Sequence, residues 1–101
     1  MRRTAVEYVF EWDPKKAERN QKAHRVSFEQ AAGVFRDPRA ISVYDTTHSR
    51  QEDRWVTLGL SADKGLLVVC HTFKWIDPSI ARIRIFSCRK ATKRESRQYM
   101  G

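Results

Sequence analysis

Between Arg82 and Cys88 the chain reads Arg-Ile-Arg-Ile-Phe-Ser-Cys, with cation and branched apolar residue in alternation. That period belongs to a β-strand with one face buried and the other in water. Arginine is depleted from strands unless it has a partner or a task, so Arg82 and Arg84 imply a sheet face kept open for something anionic. The pattern then breaks into Arg89 to Tyr99, which has no apolar stripe and many helix formers, and reads as a terminal helix that is basic all round. From Arg82 to the C-terminus seven cations face one anion, Glu95, which is most of the chain's net charge of +8. A charge run alone is often no more than a solvated helix, but here it continues a cationic strand and forms one electrostatic footprint.

A chain of 101 residues is read as a single domain, residues 1–101, with one modest core. A pI near 10.0 points to nucleic acid or an acidic protein as partner. Arg2 and Arg3 are followed by no apolar run, so no signal peptide is expected. The longest apolar run, Leu66 to Cys70, is far too short to span a membrane. Cys70 and Cys88 lack metal-ligand spacing and read as reduced thiols in strands. A cytoplasmic protein without cofactor or metal is expected.

Tyr8 to Trp12 alternates and reads as a first strand. Asp13-Pro14 starts a helix, with Asp as N-cap and Pro at the first position, and His24-Arg25 ends it. That helix is mostly polar and needs only a narrow buried face. Ser27 and Gln30 form a capping box, and Val26 and Ala31 are placed as a hydrophobic staple. Phe28, Ala31, Ala32 and Phe35 share one helical face, which stops at Arg36-Asp37-Pro38. Ala40 to Asp45, Arg54 to Leu60 and Leu66 to Thr72 read as strands, the last two a hairpin turning at Ala62 to Gly65. A polar loop, Thr46 to Asp53, and a second loop through Trp75 and Asp77-Pro78 complete the chain. The expected architecture is α+β, with two N-terminal helices on one face of a four-to-five-stranded, mainly antiparallel sheet and a basic C-terminal helix. The free face is expected to carry cations and aromatics together.

Phe10 to Pro14, Lys16, Asn20, Lys22-Ala23-His24, Val26 to Glu29, Ala31-Ala32, Val34-Phe35 and Asp37-Pro38 resemble the opening of the BrnT toxin family. Glu52-Asp53-Arg54, Val68 to Thr72, and Arg84 to Thr92 with Glu95 and Tyr99 extend the likeness over residues 10 to 99. The resemblance implies a RelE-like fold and a metal-independent endoribonuclease. It also implies a type II toxin–antitoxin pair: a BrnA-like ribbon-helix-helix antitoxin, a 2:2 heterotetramer, RNA as substrate, and operator DNA bound through the antitoxin. Where the family has glycine at the end of the first helix this chain has Arg25, which implies a strained residue or a different turn.

Cleaving RNA by its own 2′-hydroxyl needs a base, an acid and cations where charge builds on phosphorus. Arg84 and Arg89 are the first candidates for the cations, then Arg82 and Arg54, because a guanidinium binds phosphate bidentately and keeps its charge. His71, at a strand end expected to face Arg84, is the candidate acid or base, or else a hydrogen-bonded structural histidine. Glu52 is the other candidate base, or a partner that holds Arg54. Lys90, Lys93 and Arg94 are candidate RNA contacts, and Trp75, Trp55 and Tyr44 candidate stacking platforms. Trp12, Phe28 and Phe35 are assigned to the core, and Glu95 with Tyr99 to docking the last helix or to chemistry. Two non-enzymatic readings use the same charge: a nucleic-acid-binding module, and a subunit that recognises an acidic partner.

Overall fold

A computed structural model describes residues 6–101; Arg2 and Arg3 lie outside the described residues. Strand β1 (Glu7–Glu11) leads into α1 (Pro14–His24) and α2 (Phe28–Gly33), whose last turn tightens to a 3₁₀ turn, Val34–Arg36. Then follow β2 (Ile41–Tyr44), β3 (Trp55–Ser61), β4 (Gly65–His71), β5 (Lys74–Asp77), β6 (Ile80–Lys90) and α3 (Lys93–Met100). The sheet runs β1-β6-β4-β3-β2 with β5 also against β6, and all pairs are antiparallel except β1 with β6. The α+β class and the mainly antiparallel sheet match expectation, but the described residues form six strands rather than four or five.

The extra strand is β5, in a stretch expected to be a loop. Trp75 and Ile76 are good strand formers, and Asp77 turns the chain by accepting the Ser79 N–H at 2.7 Å. A short exposed run beside Asp-Pro resembles a loop until a neighbour supplies the ladder. That neighbour is β6, eleven residues long, which pairs first with β5 and then with β4. Its alternation is as expected: Ala81, Ile83 and Ile85 are buried, Arg82 is exposed and Arg84 half-buried. The strand continues to Lys90, so Arg89 and Lys90 belong to the sheet, not to the helix. α3 starts instead at a second capping box, Thr92 with Glu95, a Thr-x-x-Glu signal present in the sequence.

The first helices sit where their chemistry puts them. Asp13 accepts the Lys15 N–H at 2.9 Å, and Ser27 and Gln30 cap each other. α1 ends at Arg25 in the left-handed region, φ 58°, so the departure from glycine leaves a side chain in strained backbone. Phe28, Ala31, Val26 and Val34 pack with Leu67, Val69, Ile83, Ile85 and Cys88 to form the core. α1 has little apolar surface to add, and a side chain compensates. Buried Asn20 donates to the carbonyls of Val26 (3.0 Å) and Cys88 (2.9 Å) and accepts the Cys88 N–H (3.0 Å). Two of these bonds tie a polar helix to β6, and the third ties it to the link before α2. Cys70 and Cys88 are free, and burial pushes the Cys88 thiol up to about 12.

Candidate active site

β6 divides its side chains between the two sides of the sheet. Ile83 and Ile85 point to the helices, so Arg82 and Arg84 point away from them. Arg84 is fixed at its backbone by Thr72, which donates its N–H to the Arg84 carbonyl (2.9 Å) and accepts the Arg84 N–H on its hydroxyl (3.0 Å). Thr72 lies where β4 gives way to β5, so a side chain bridges the break in the ladder at the residue that carries the guanidinium.

The Arg84 guanidinium donates through Nη2 to Glu52 Oε1, and Arg54 Nη2 lies 3.9 Å from the same oxygen. Glu52 is held by an ordered loop. Arg54 donates its N–H to Ser49 Oγ at 3.0 Å, Tyr44 donates its hydroxyl to Asp53 at 2.8 Å, and His48 meets Asp45 at 2.8 Å. His48 thus has a carboxylate partner within the loop. Phe86 lies at the centre of the cations: its ring centroid is 4.2 Å from the Arg54 guanidinium, 5.0 Å from that of Arg84 and 5.3 Å from the Lys16 ammonium. A ring face attracts cations and fixes them without neutralising them. Phe86 is the extra residue of a β-bulge, where His71 pairs with Ile85 and Cys70 with Ser87.

Two clefts meet at the Arg84–Glu52 pair. One, of about 200 Å³, is lined by Asp13, Lys16, Arg54 and Phe86 besides that pair. The other, of about 430 Å³, adds Arg82, Lys74, Glu11 and Asp53. The three cation partners of one phenyl ring, drawn from a helix, a loop and a strand, carry no spacing signal; Phe86 and Lys16 had to be found in three dimensions.

The family comparison bears on this arrangement. Residues 12–95 match the model of the BrnT family, described as the ribonuclease toxin, BrnT, of type II toxin–antitoxin systems. The chain belongs to the BrnT toxin family. A comparison with individual curated proteins gave no match. The match spans Lys16, the Glu52 loop and the whole of β6, so the clustered residues all lie within the part of the chain that makes it a BrnT-family toxin.

Other residues singled out in the sequence lie elsewhere. His71 does not face Arg84: it is buried on the helix side, edge-on to Phe35 at 4.7 Å. Its Nδ1 bonds the Thr72 carbonyl at 2.8 Å and its Nε2 the Thr57 hydroxyl at 2.6 Å, and burial holds its pKa below the usual 6.5. Arg89 shares the open face with Arg84 but lines neither cleft; its fork is occupied by Glu95. Tyr99 donates to Asp37 at 2.6 Å, so Glu95 and Tyr99 both dock α3. Lys90, Lys93 and Arg94 are exposed at that end.

Trp75 is exposed, as expected, but in β5 rather than a loop, and opposite Ala81 on the helix side. Trp55 and Tyr44, cross-strand partners, meet edge to face on the same side, 5.3 Å apart. The expected single platform of cations and aromatics is thus divided by the sheet: cations around Phe86 on one side, indoles and phenols on the other. Among the described residues no group of three or more His, Cys, Asp or Glu side chains is arranged to hold a metal ion, and no helix is long and apolar enough to cross a membrane.

Proposed function

We propose that this BrnT-family chain is a metal-independent endoribonuclease toxin whose site is the Glu52–Arg84–Arg54 cluster around Phe86. The observation that carries this is one carboxylate held by two guanidiniums in an open cleft with an ammonium beside it. Glu52 accepts the proton of a ribose 2′-hydroxyl as that oxygen attacks the adjacent phosphorus. Arg84 and Arg54 stabilise the charge that builds on the phosphorane, Arg84 exchanging its carboxylate partner for phosphate oxygens. The P–O5′ bond breaks, leaving a 2′,3′-cyclic phosphate and a 5′-hydroxyl. Lys16 supplies the proton to the departing 5′-oxygen, because an ammonium releases one far more readily than a guanidinium. Arg82 and Lys74 extend the phosphate track, and Lys90, Lys93 and Arg94 add longer-range attraction. His71 and Arg89 have structural tasks in this reading.

The order of two helices before an antiparallel sheet supports a RelE-like fold for residues 1–101 as one toxin domain. The partner is a BrnA-like ribbon-helix-helix antitoxin in a 2:2 heterotetramer, which binds operator DNA and inhibits by covering the basic face of the toxin. Uninhibited cleavage halts translation in the cytoplasm.

The decisive experiment is purified protein on a labelled RNA with EDTA present, for wild type, Glu52→Gln and Arg84→Ala. Wild type should yield cyclic-phosphate ends, and each variant should lose at least about a hundredfold in kcat/KM while remaining folded. RNA binding without cleavage by the wild type would instead make the cluster a binding module.

A further inference from the structure

The helix side of the sheet carries a second concavity that takes no part in the chemistry above. It encloses about 500 Å³, within the roughly 300–1,000 Å³ usual for small-molecule pockets, and its walls include Tyr8, Phe35, Trp55, Phe73 and Trp75. Its floor is a chain of three polar side chains, Ser42, Thr57 and His71, linked by bonds of 2.7 and 2.6 Å.

The direction of that chain is dictated from one end. The Thr72 carbonyl only accepts, so His71 carries its proton on Nδ1 and Nε2 is an acceptor. The Thr57 hydroxyl therefore donates to Nε2 and must accept from Ser42. Ser42 spends its proton on Thr57 and turns only lone pairs to the groove. Desolvation favours the neutral imidazole that this order requires. The groove thus offers aromatic faces to a flat ring and an acceptor to an N–H on its edge.

Phe73 joins this groove to the cationic one, since it lines both the aromatic walls and the cleft of Arg82, Arg84 and Glu52. We propose that the aromatic groove is a nucleobase subsite. It takes one unpaired, amino-bearing base of the RNA whose backbone lies in the Arg84 cleft, the strand passing over the Thr72–Phe73 step. The substrate role of the subsite rests on the ribonuclease reading above; its binding of a base does not.

The test has two arms. In the first, the fluorescence of Trp55 and Trp75 is followed in the purified full chain as adenosine, N6,N6-dimethyladenosine or uridine is added; Trp12, packed on Phe28, supplies a constant background. Adenosine should quench and saturate, and the dimethyl analogue, which keeps the ring but loses the donors, should bind about five- to tenfold more weakly. Ser42→Ala should erase that difference, Trp75→Ala should weaken both ligands, and Arg84→Ala should change neither. Equal binding of adenosine and its dimethyl analogue, or no quenching at all, overturns the subsite.

In the second arm RNA cleavage is compared for wild type and Trp75→Ala. The variant should raise KM and flatten the preference for the base beside the cut. Cleavage with KM and preference unmoved overturns the subsite while leaving the ribonuclease standing. Nucleoside selectivity without cleavage by the wild type leaves the base site standing and sinks the ribonuclease. If the cognate antitoxin shields Trp55 and Trp75 while RNA competes for neither, the groove is a protein-docking surface and the proposal fails.

Discussion

Arg89 and Glu95 meet fork to fork, with Nη1 2.8 Å from Oε1 and Nη2 2.9 Å from Oε2. The same carboxylate accepts the Thr92 N–H at 2.8 Å. One side chain thus caps α3 and fastens it to β6, while Tyr99 holds the helix's far end to Asp37. The bond from Tyr99, with those from Leu60 and Arg39, keeps the Asp37 carboxyl below its usual range.

That pair makes stability depend on acid. Arg89, then the Thr92 N–H, lowers Glu95 from 4.5 to about 2. A depressed carboxyl stabilises the fold above its unfolded value and loses that contribution as pH falls from about 4.5 toward 2. The Arg89 side chain is 43% exposed, so solvent screening reduces the contribution to about 1 kcal/mol. Urea denaturation at pH 7 and pH 3 should show this loss in wild type and little of it in Glu95→Gln. An equal acid loss in both would place the sensitivity elsewhere.

His71 gives a second, separate window. Burial lowers its pKa, so between 6.5 and its folded value the unfolded chain takes up a proton that the folded chain refuses. Stability should be full above pH 6.5 and fall on acidification below it. Melting curves from pH 7.5 to 5 should slope downward for wild type and lose most of that slope in His71→Gln. A parallel slope in the variant would assign the effect to other groups.

Phe86 positions cations without touching a reacting atom. Phe86→Leu keeps an apolar, somewhat smaller side chain but removes the ring face from Arg54, Arg84 and Lys16. We expect about a tenfold fall in kcat/KM with the melting temperature nearly unchanged, and recovery in Phe86→Tyr, which restores the ring. Equal activity of the leucine and tyrosine variants would remove the ring from the mechanism.

Arg25 holds φ at 58°, where a side chain costs about 1 kcal/mol that glycine avoids. Its own N–H still closes the helix on the Gln21 carbonyl at 2.9 Å, so the backbone bond survives substitution. Arg25→Gly should therefore stabilise the protein by roughly 0.5–1 kcal/mol, read as a raised denaturation midpoint. A lowered midpoint would mean that the arginine side chain has a task of its own.

Elements whose cause is local were legible in the chain. Ser27 and Gln30 announced their helix by reciprocal caps, Gly65 its turn, and Arg82 to Ile85 their strand by period. Arg84, Arg54 and Glu52, candidates singled out in the chain, lie together in one cleft. β5 was missed since its ladder comes from β6, and a short exposed segment does not reveal a neighbour.

By itself the sequence determined the α+β class, the cationic strand and the BrnT-family likeness, since residue type, period and cap chemistry act over a few positions. Only the tertiary structure decided which candidates share a cleft. Sheet sidedness put His71 and Trp75 across from Arg84, the bulge at Phe86 set a ring among three cations, and Glu95 occupied Arg89. The physical reason is that a strand sends alternate residues to opposite sides. What each side then meets depends on chain segments far away in sequence.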